Sequence, residues 1–332
     1  MPDDEPARTV TMFLIVSTVL MLLVMCLTAY FAFAYHRYHS VAGRDLGPAR
    51  PRESIGIGGF ELFVRDVCAN RSGTPLLVVH GGPGHSSLSF RASLDPLASE
   101  HRVLYYDQRG SGLSELKADS SLYTVDALVQ EIEQIRRDVL KADRIAILAH
   151  SAGGAIAQHY AAAHPERIDR LVLVASTTAN NNMSSGGLWR SLGPGLYAAA
   201  LGLPPRDPAR ADDWFTASQV DEDRKRLFDP DRSHLVVDSG PSRFTTWFAV
   251  SQSLAGDDLS QRLRRVTAPV LVVYGEADNR HTGAEAARRI CRSFPAGRLA
   301  AISSSGHWPF LENTEDFLAT VRSFLADEAL PR

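Results

Sequence analysis

The sequence predicts a doubly wound α/β fold, a mostly parallel sheet with helices on both faces. Three observations predict it. Short continuous apolar runs rich in Val, Ile and Leu recur along the chain, as in strands buried on both faces. Stretches with helical spacing lie between them. At 332 residues the chain is long enough for one large domain of this kind. Hydrophobic residues make up 45% and charged residues 22%, which excludes a disordered, collagen-like or small disulfide-stapled protein. The formal net charge of -3 carries no basic footprint, so nucleic acid is not an expected partner.

The elements follow in chain order. Residues 1–8 form an acidic tail, in which Arg8 is the one basic residue. No charged residue occurs from Thr9 to Tyr35. As a helix, residues 9–35 would cover about 40 Å, more than the ~30 Å hydrocarbon core of a bilayer. Apolar residues lie on every face, and Tyr30 and Tyr35 stand where an interfacial aromatic belt would lie. The expectation is a transmembrane anchor. A cleavable signal peptide is the competing reading, with Ala32-Phe33-Ala34 as its cleavage site and a secreted or periplasmic enzyme as its consequence. Arg37, Arg44, Arg50 and Arg52 follow the span while Arg8 alone precedes it, which puts the following domain on the cytoplasmic side. Residues 36–54, rich in Arg, Gly and Pro, read as a linker.

Strands are expected at Leu76–His80, Val103–Asp107, Arg144–His150, Leu171–Ser176, Val270–Gly275 and Arg298–Ser303. Helices are expected at Val125–Leu140, at Ala152–Ala163, at Thr282–Cys291 behind a Thr282/Glu285 capping box, and at Thr314–Leu325 behind an Asn313 N-cap. Residues 177–265 break the alternation and are too long for a plain connection. They read as an inserted helical cap. The core then divides into residues 55–176 and 266–332. Cys26, Cys68 and Cys291 make no disulfide framework.

The chemistry concentrates in short motifs. In Ala149-His150-Ser151-Ala152-Gly153 a serine stands where a buried strand meets a helix of small residues. That is the nucleophile-elbow pattern G-x-S-x-G, with Ala149 in place of the first glycine. Alone, the segment has a lesser reading as an N-cap serine with a glycine pair. Asp278, in Gly275-Glu276-Ala277-Asp278, and His307, in Gly306-His307-Trp308, each follow an expected strand. Sites in open α/β sheets form at such C-terminal strand ends. The order Ser151, Asp278, His307 suits a nucleophile, an orienting acid and a base. His80-Gly81-Gly82-Pro83-Gly84 follows the first long strand, so the N–H groups of Gly82 and Ala152 are the expected oxyanion donors. Asp107 and Arg109 are expected to buttress that loop. His150, His159, His164 and His281 are not expected to act. No metal-ligand spacing and no nucleotide loop occurs, so no cofactor is expected.

These motifs, with Asp107-Gln108-Arg109-Gly110-Ser111-Gly112-Leu113-Ser114, resemble the α/β-hydrolase superfamily, and within it the proline iminopeptidase group. The resemblance covers about residues 55–328. It implies an α/β-hydrolase fold and a serine aminopeptidase releasing an N-terminal residue, often proline, from short peptides. The group carries tryptophan after the nucleophile, where this chain has Ala152. It also holds the substrate ammonium with cap carboxylates, for which Asp212, Asp213, Asp221, Glu222 and Asp223 are available. The expectation is a membrane-anchored Ser-His-Asp hydrolase of this type. The alternatives are a carboxylesterase or lipid-type hydrolase working near the membrane, and a non-catalytic binding protein on the same scaffold. Oligomeric state is not legible.

Overall fold

The computed structural model describes residues 5–40, 54–179, 207–232, 234–237, 242–254, 258–278 and 282–330. Eight strands make up its sheet: β1 (Ser54–Ile57), β2 (Phe60–Val67), β3 (Leu76–Val79), β4 (Val103–Tyr106), β5 (Ile145–His150), β6 (Ile168–Val174), β7 (Val270–Gly275) and β8 (Gly297–Ile302). They lie in the order β1-β2-β4-β3-β5-β6-β7-β8. From β4 onward in that order all pairings are parallel, while β1 and β2 are antiparallel. All six expected strands are present. The sixth of the eight starts at Ile168, three residues before the expected Leu171. The first two strands escape the sequence reading for a physical reason. Phe60–Val67 lies toward one edge of the sheet, where Glu61, Arg65 and Asp66 interrupt the apolar run.

The helices are α1 (Glu5–Ser40), α2 (Leu88–Leu94), α3 (Val125–Gln134), α4 (Ala152–Ala163), α5 (Pro208–Arg224), α6 (His234–Val237), α7 (Phe244–Ser253), α8 (Ser260–Leu263), α9 (Ala284–Ser293), α10 (Pro309–Glu312) and α11 (Thr314–Leu325). Two hydrophobic clusters sandwich the sheet, which is why its central strands are apolar at successive positions. Leu77, Val79, Ile147, Leu173 and Val272 pack on one face with α3 and α4. Leu76, Val78, Leu148, Val172 and Val273 pack on the other with Phe90 of α2 and Phe317 and Phe324 of α11.

Several boundaries differ from expectation. The first helix runs to Ser40, into the expected linker, and Ser54 already belongs to β1. Within α1 an apolar stretch, Met12–Phe33, has a mean hydropathy of 2.6 and buries nothing against the rest of the chain. Helix α3 passes at Ile135 into a π-helical turn that ends at Leu140. Asn313 caps α11 as expected, accepting from the Asp316 N–H. The Thr282/Glu285 capping box is absent: α9 starts at Ala284, two residues later than expected, with Gly283 as its N-cap and no side-chain cap bond. The Thr282 hydroxyl is occupied elsewhere.

Between β6 and β7, helices α5 and α7 share their own apolar cluster of Ala211, Phe215, Phe244 and Phe248, joined by Trp214 and Trp247. The remaining tryptophan of this stretch, Trp189, lies outside the described residues. Helix α7 is fastened to the core at both glycine-rich loops. The Arg243 N–H donates to the Gly84 carbonyl at 2.9 Å, and the Thr246 hydroxyl donates to the Gly110 carbonyl at 2.6 Å. Cys26, Cys68 and Cys291 are all free thiols.

Candidate active site

Ser151 stands between β5 and α4 with φ +53° and ψ −123°. This left-handed φ is rare for a residue with a side chain and is held by its surroundings. The Ser151 N–H donates to the Val174 carbonyl at 2.9 Å, and the Thr177 N–H donates to the Ser151 carbonyl at 3.1 Å. The turn brings α4 hard against β3. A Cβ on Gly153 would run into the His80 carbonyl oxygen, and one on Gly154 would run into Ser176. A Cβ on Gly81 would run into the Ser151 Cβ and the His150 ring. This is why small residues follow the serine.

Asp278 and His307 lie beyond the C-terminal ends of β7 and β8, and the structure brings both to Ser151. His307 Nε2 is 3.1 Å from Ser151 Oγ, and Nδ1 is 3.1 Å from Asp278 Oδ2. Asp278 can only accept when ionised, so the ring proton sits on Nδ1 and Nε2 offers its lone pair. Burial opposes charge at Asp278. The bonds from His307 and Thr282, with Arg226 nearby, outweigh it and hold the carboxyl well below the usual carboxylate range. Burial, followed by the Arg226 charge, holds the His307 imidazole well below its ordinary value, so the ring is neutral at neutral pH.

Four further residues join the site that the sequence reading did not place there. The Thr282 hydroxyl donates to Asp278 Oδ2 at 2.6 Å, and its oxygen is 3.1 Å from His307 Nδ1. His150 donates from Nε2 to the His307 carbonyl at 2.9 Å, and burial lowers its pKa to about 3. It is neutral and braces His307. Glu312 Oε2 accepts from the Gly306 N–H at 2.8 Å, and its Oε1 accepts from the Phe228 N–H at 2.6 Å, clamping the loop before His307. Arg226 Nη2 stands 2.7 Å from His307 Nε2, while its carbonyl accepts from the His307 N–H at 2.9 Å. No sequence pattern marks Arg226. Thr282 had a visible signal, since it lies four residues from Asp278, but a hydroxyl before a helix reads first as a cap.

The glycine-rich loop is held by its neighbour. Asp107 accepts from the Ser87 N–H at 2.7 Å and the Leu113 N–H at 2.9 Å. Ser111 Oγ accepts from the Gly84 N–H at 3.0 Å. Gln108 closes the set. Its N–H donates to His80 Nε2 at 3.0 Å and its side-chain amide donates to the His80 carbonyl at 2.8 Å. Arg109 does not share this role. It turns to α3, pairing with buried Glu131 at 2.9 Å and lying over the Phe60 ring. Gly82, at φ +49°, packs against the His85 ring. Ala152 is the first residue of α4, where an N–H has no intrahelical acceptor.

The five acidic candidates between β6 and β7 separate clearly. Asp212 is buried and structural, accepting from the Phe244 N–H at 2.9 Å and pairing with Arg243 at 3.3 Å. Asp213 is exposed and Glu222 pairs with Lys225 at 3.0 Å. The Asp221 side chain lies outside the described residues, as does His281. Asp223 alone of the described candidates lines the cavity at Ser151. Burial pushes its carboxyl up to about 7. That cavity holds about 50 Å³, walled by Gly81, Gly82, His85, Asp223, Arg226 and Trp308 together with Ser151 and His307. Hollows of about 400 and 510 Å³ lie elsewhere, and neither contains a histidine. His159 is buried within α4, and His164 ends that helix; neither reaches the cavity. Among the described residues no group of His, Cys, Asp and Glu could hold a metal.

Residues 74–314 match the family model described as alpha/beta hydrolase fold. The chain is 26% identical over 293 residues to a proline iminopeptidase of Heyndrickxia coagulans, covering 82% of this chain and 97% of that one. It is 27% identical over 282 residues to a 2-hydroxy-6-oxo-2,4-heptadienoate hydrolase of Pseudomonas putida, covering 82% and 95%. Among solved structures, a thermophilic esterase from Thermogutta terrifontis superposes with a TM-score of 0.62 at 20% identity, over 85% of this chain and 99% of that one.

Proposed function

We propose a function from one premise: the chain belongs to the alpha/beta hydrolase fold family. It is a hydrolase that resembles the proline iminopeptidase group. Within that family we read it as a serine hydrolase working through an acyl-enzyme. The observation that carries this is the relay Ser151–His307–Asp278, with its nucleophile at positive φ on the strand-to-helix turn.

His307 takes the Ser151 proton as Oγ attacks the acyl carbon. Asp278 fixes the imidazole tautomer and stabilises its cation. The N–H groups of Gly82 and Ala152 receive the developing oxyanion, each worth roughly a hundred- to thousandfold in rate. His307 then protonates the leaving group, and water releases the acyl group by the same steps. Helices α5 to α8 act as the cap of the site.

For the acyl group, an aminoacyl amide as in the iminopeptidases is the first reading. The relatives of that name support it, and Asp223 is the cap carboxylate in reach. A second reading, an ester without a free amine, is favoured by Arg226, a cation standing where an ammonium would have to enter. One substrate panel separates them. Aminoacyl arylamides, prolyl included, turn over only with a free α-amine on the first reading. Acyl esters turn over without one on the second. Ser151→Ala should abolish either activity, by about three to six orders of magnitude, without unfolding the protein. Substantial residual turnover in that variant would remove the serine assignment.

We also propose that Met12–Phe33 anchors the enzyme, with the catalytic domain on the cytoplasmic side. Its uncovered apolar surface supports a lipid environment. Extraction of the full chain from membranes by alkaline carbonate would exclude the anchor. Loss of α1 from the mature protein would indicate a signal sequence.

A further inference from the structure

We propose that His85 and Gln219 form an uncharged polar subsite beside Ser151, and that it holds a hydroxyl on the α or β carbon of the substrate's acyl group. This rests on the serine-hydrolase reading of Ser151 and His307. Within that reading it favours an acyl group without a free amine.

Two polar atoms at the cavity have nothing to bond. His85 Nε2 and the Gln219 side-chain nitrogen are both shielded from solvent, and both lack a hydrogen-bond partner. Both side chains line the cavity that contains Ser151 and His307. Other polar side chains of the same wall are engaged. His150 is bonded to the His307 carbonyl, and Asp223 and Arg226 pair at 4.0 Å. A buried polar atom left unmet is costly, and most such atoms in a folded protein have a partner. Two of them at one cavity, beside a nucleophile, point to a partner that arrives with the substrate.

Each atom is held in place by its element. The His85 N–H donates to the Gly82 carbonyl at 2.8 Å, and its ring packs so closely on Gly82 that a Cβ there would run into it. Gly82 is the proposed oxyanion donor, so the ring flanks the place of the scissile carbonyl. Gln219 lies on α5, one turn before Asp223. That spacing puts both on one face of the helix, and both line the cavity. At about 50 Å³ the cavity is far below the roughly 300 Å³ of a small-ligand site, so the group it takes is small and close to the carbonyl.

The chemistry of the two atoms selects the group. Burial, then His80 and Arg226, pull the His85 imidazole down to about 4, so the ring is neutral at pH 7. A neutral imidazole nitrogen either donates or accepts, and an amide nitrogen donates. A hydroxyl accepts from Gln219 and can still donate to His85 or accept from it, so it meets both atoms in either tautomer. An ammonium only donates and cannot meet the Gln219 nitrogen. A carboxylate would bring a second negative charge beside Asp223, and Arg226 is already paired with that residue and bonded to Thr282. An alkyl group would leave both atoms unmet.

The test uses the full-length chain in detergent and p-nitrophenyl esters in which a hydroxyl and a methyl group exchange places. Lactate is set against isobutyrate for the α carbon, and 3-hydroxybutyrate against 3-methylbutyrate for the β carbon. Each kcat/KM is divided by the same ester's rate with hydroxide, which removes the inductive effect. The wild type should favour the hydroxyl about ten- to a hundredfold in one pair. His85→Phe and Gln219→Met should each cut that ratio about three- to tenfold. A merely structural role would lower both esters in step and leave the ratio where it was. The two residues lie on different elements, so each variant serves if the other does not fold. A wild-type ratio near one in both pairs means that the two atoms hold water only, and overturns the subsite. So does a ratio that both folded variants preserve, or a higher corrected kcat/KM for the alanine ester, whose ammonium takes the place of the lactate hydroxyl. Failure of the wild type to label with a fluorophosphonate, or a Ser151→Ala enzyme still active, overturns the serine-hydrolase reading itself and the subsite with it.

Discussion

Replacing Thr282 with valine removes one hydroxyl from the most buried part of the site. That hydroxyl donates to Asp278 Oδ2 at 2.6 Å, and Thr282 and the Asp278 side chain are fully shielded from solvent. A hydrogen bond to a buried charge contributes about 1.5–3 kcal/mol. A methyl group cannot stay at 2.6 Å from an oxygen, so the valine also pushes on the carboxylate. Stability should fall by about 1.5–3 kcal/mol, or roughly 3–9 °C in Tm. The carboxylate, freed of one donor, both swings and becomes more basic. Its looser hold on His307 should lower kcat about tenfold. Its greater basicity should raise the His307 pKa and carry the acidic limb of kcat/KM toward 6.5 from below. Thr282→Ser keeps the hydroxyl and should restore both. The assay is kcat/KM against pH on whichever panel substrate is turned over, with melting curves alongside. A valine variant with kcat within twofold of the wild type and an unmoved acidic limb would refute the role of Thr282 as a positioning residue.

Other expectations follow from the same contacts. Gly153→Ala sets a methyl group against the His80 carbonyl, which Gln108 holds in place; it should destabilise by about 1–3 kcal/mol and depress fluorophosphonate labelling of the folded fraction. Asp212→Ala leaves buried Arg243 without this ion pair and should cost about 3–5 kcal/mol, read by denaturant unfolding, while Asp223→Asn should change KM and leave stability nearly untouched. Glu133 is held at about 2, chiefly by hydrogen bonds from Arg136 and also by Tyr160. Its folded pKa lies below its unfolded one, so its contribution is complete above pH 4.5 and fades as pH falls toward 2. Glu133→Gln should lose about 1–2 kcal/mol at pH 7, discounted for solvent screening, and that difference should vanish in acid.

The sequence made the central sheet legible because strands buried on both faces must be apolar at successive positions. The strand β2 was not, because Glu61, Arg65 and Asp66 break the pattern that marks the others, and its edge partner β1 is only four residues with a glycine inside it. Ser151, Asp278 and His307 were legible because each sits at a strand end in short, recognisable punctuation, and the fold brings them within hydrogen-bond reach. The residues that tune them were not. Arg226 arrives from a stretch with no repeating signal, and its meaning lies in a distance to His307 across 81 positions of chain. Arg109 shows the converse. Its place in the motif suggests a partner of the glycine loop, yet Glu131 on α3 takes its charge.

The fastening of α7 to both glycine-rich loops has a mechanical consequence. Arg243 grips Gly84, two residues from Gly82, and Thr246 grips Gly110 on the loop that supports it. An outward swing of α7 large enough to widen the narrow cavity would strain both bonds. It would tug the glycine-rich loop, proposed above to hold the oxyanion, before any substrate had arrived. Admission and readiness are then opposing demands on one lever. Substrate would enter by a movement that leaves α7 in place, or pass through an open form in which the glycine-rich loop is slack and tightens only on closure.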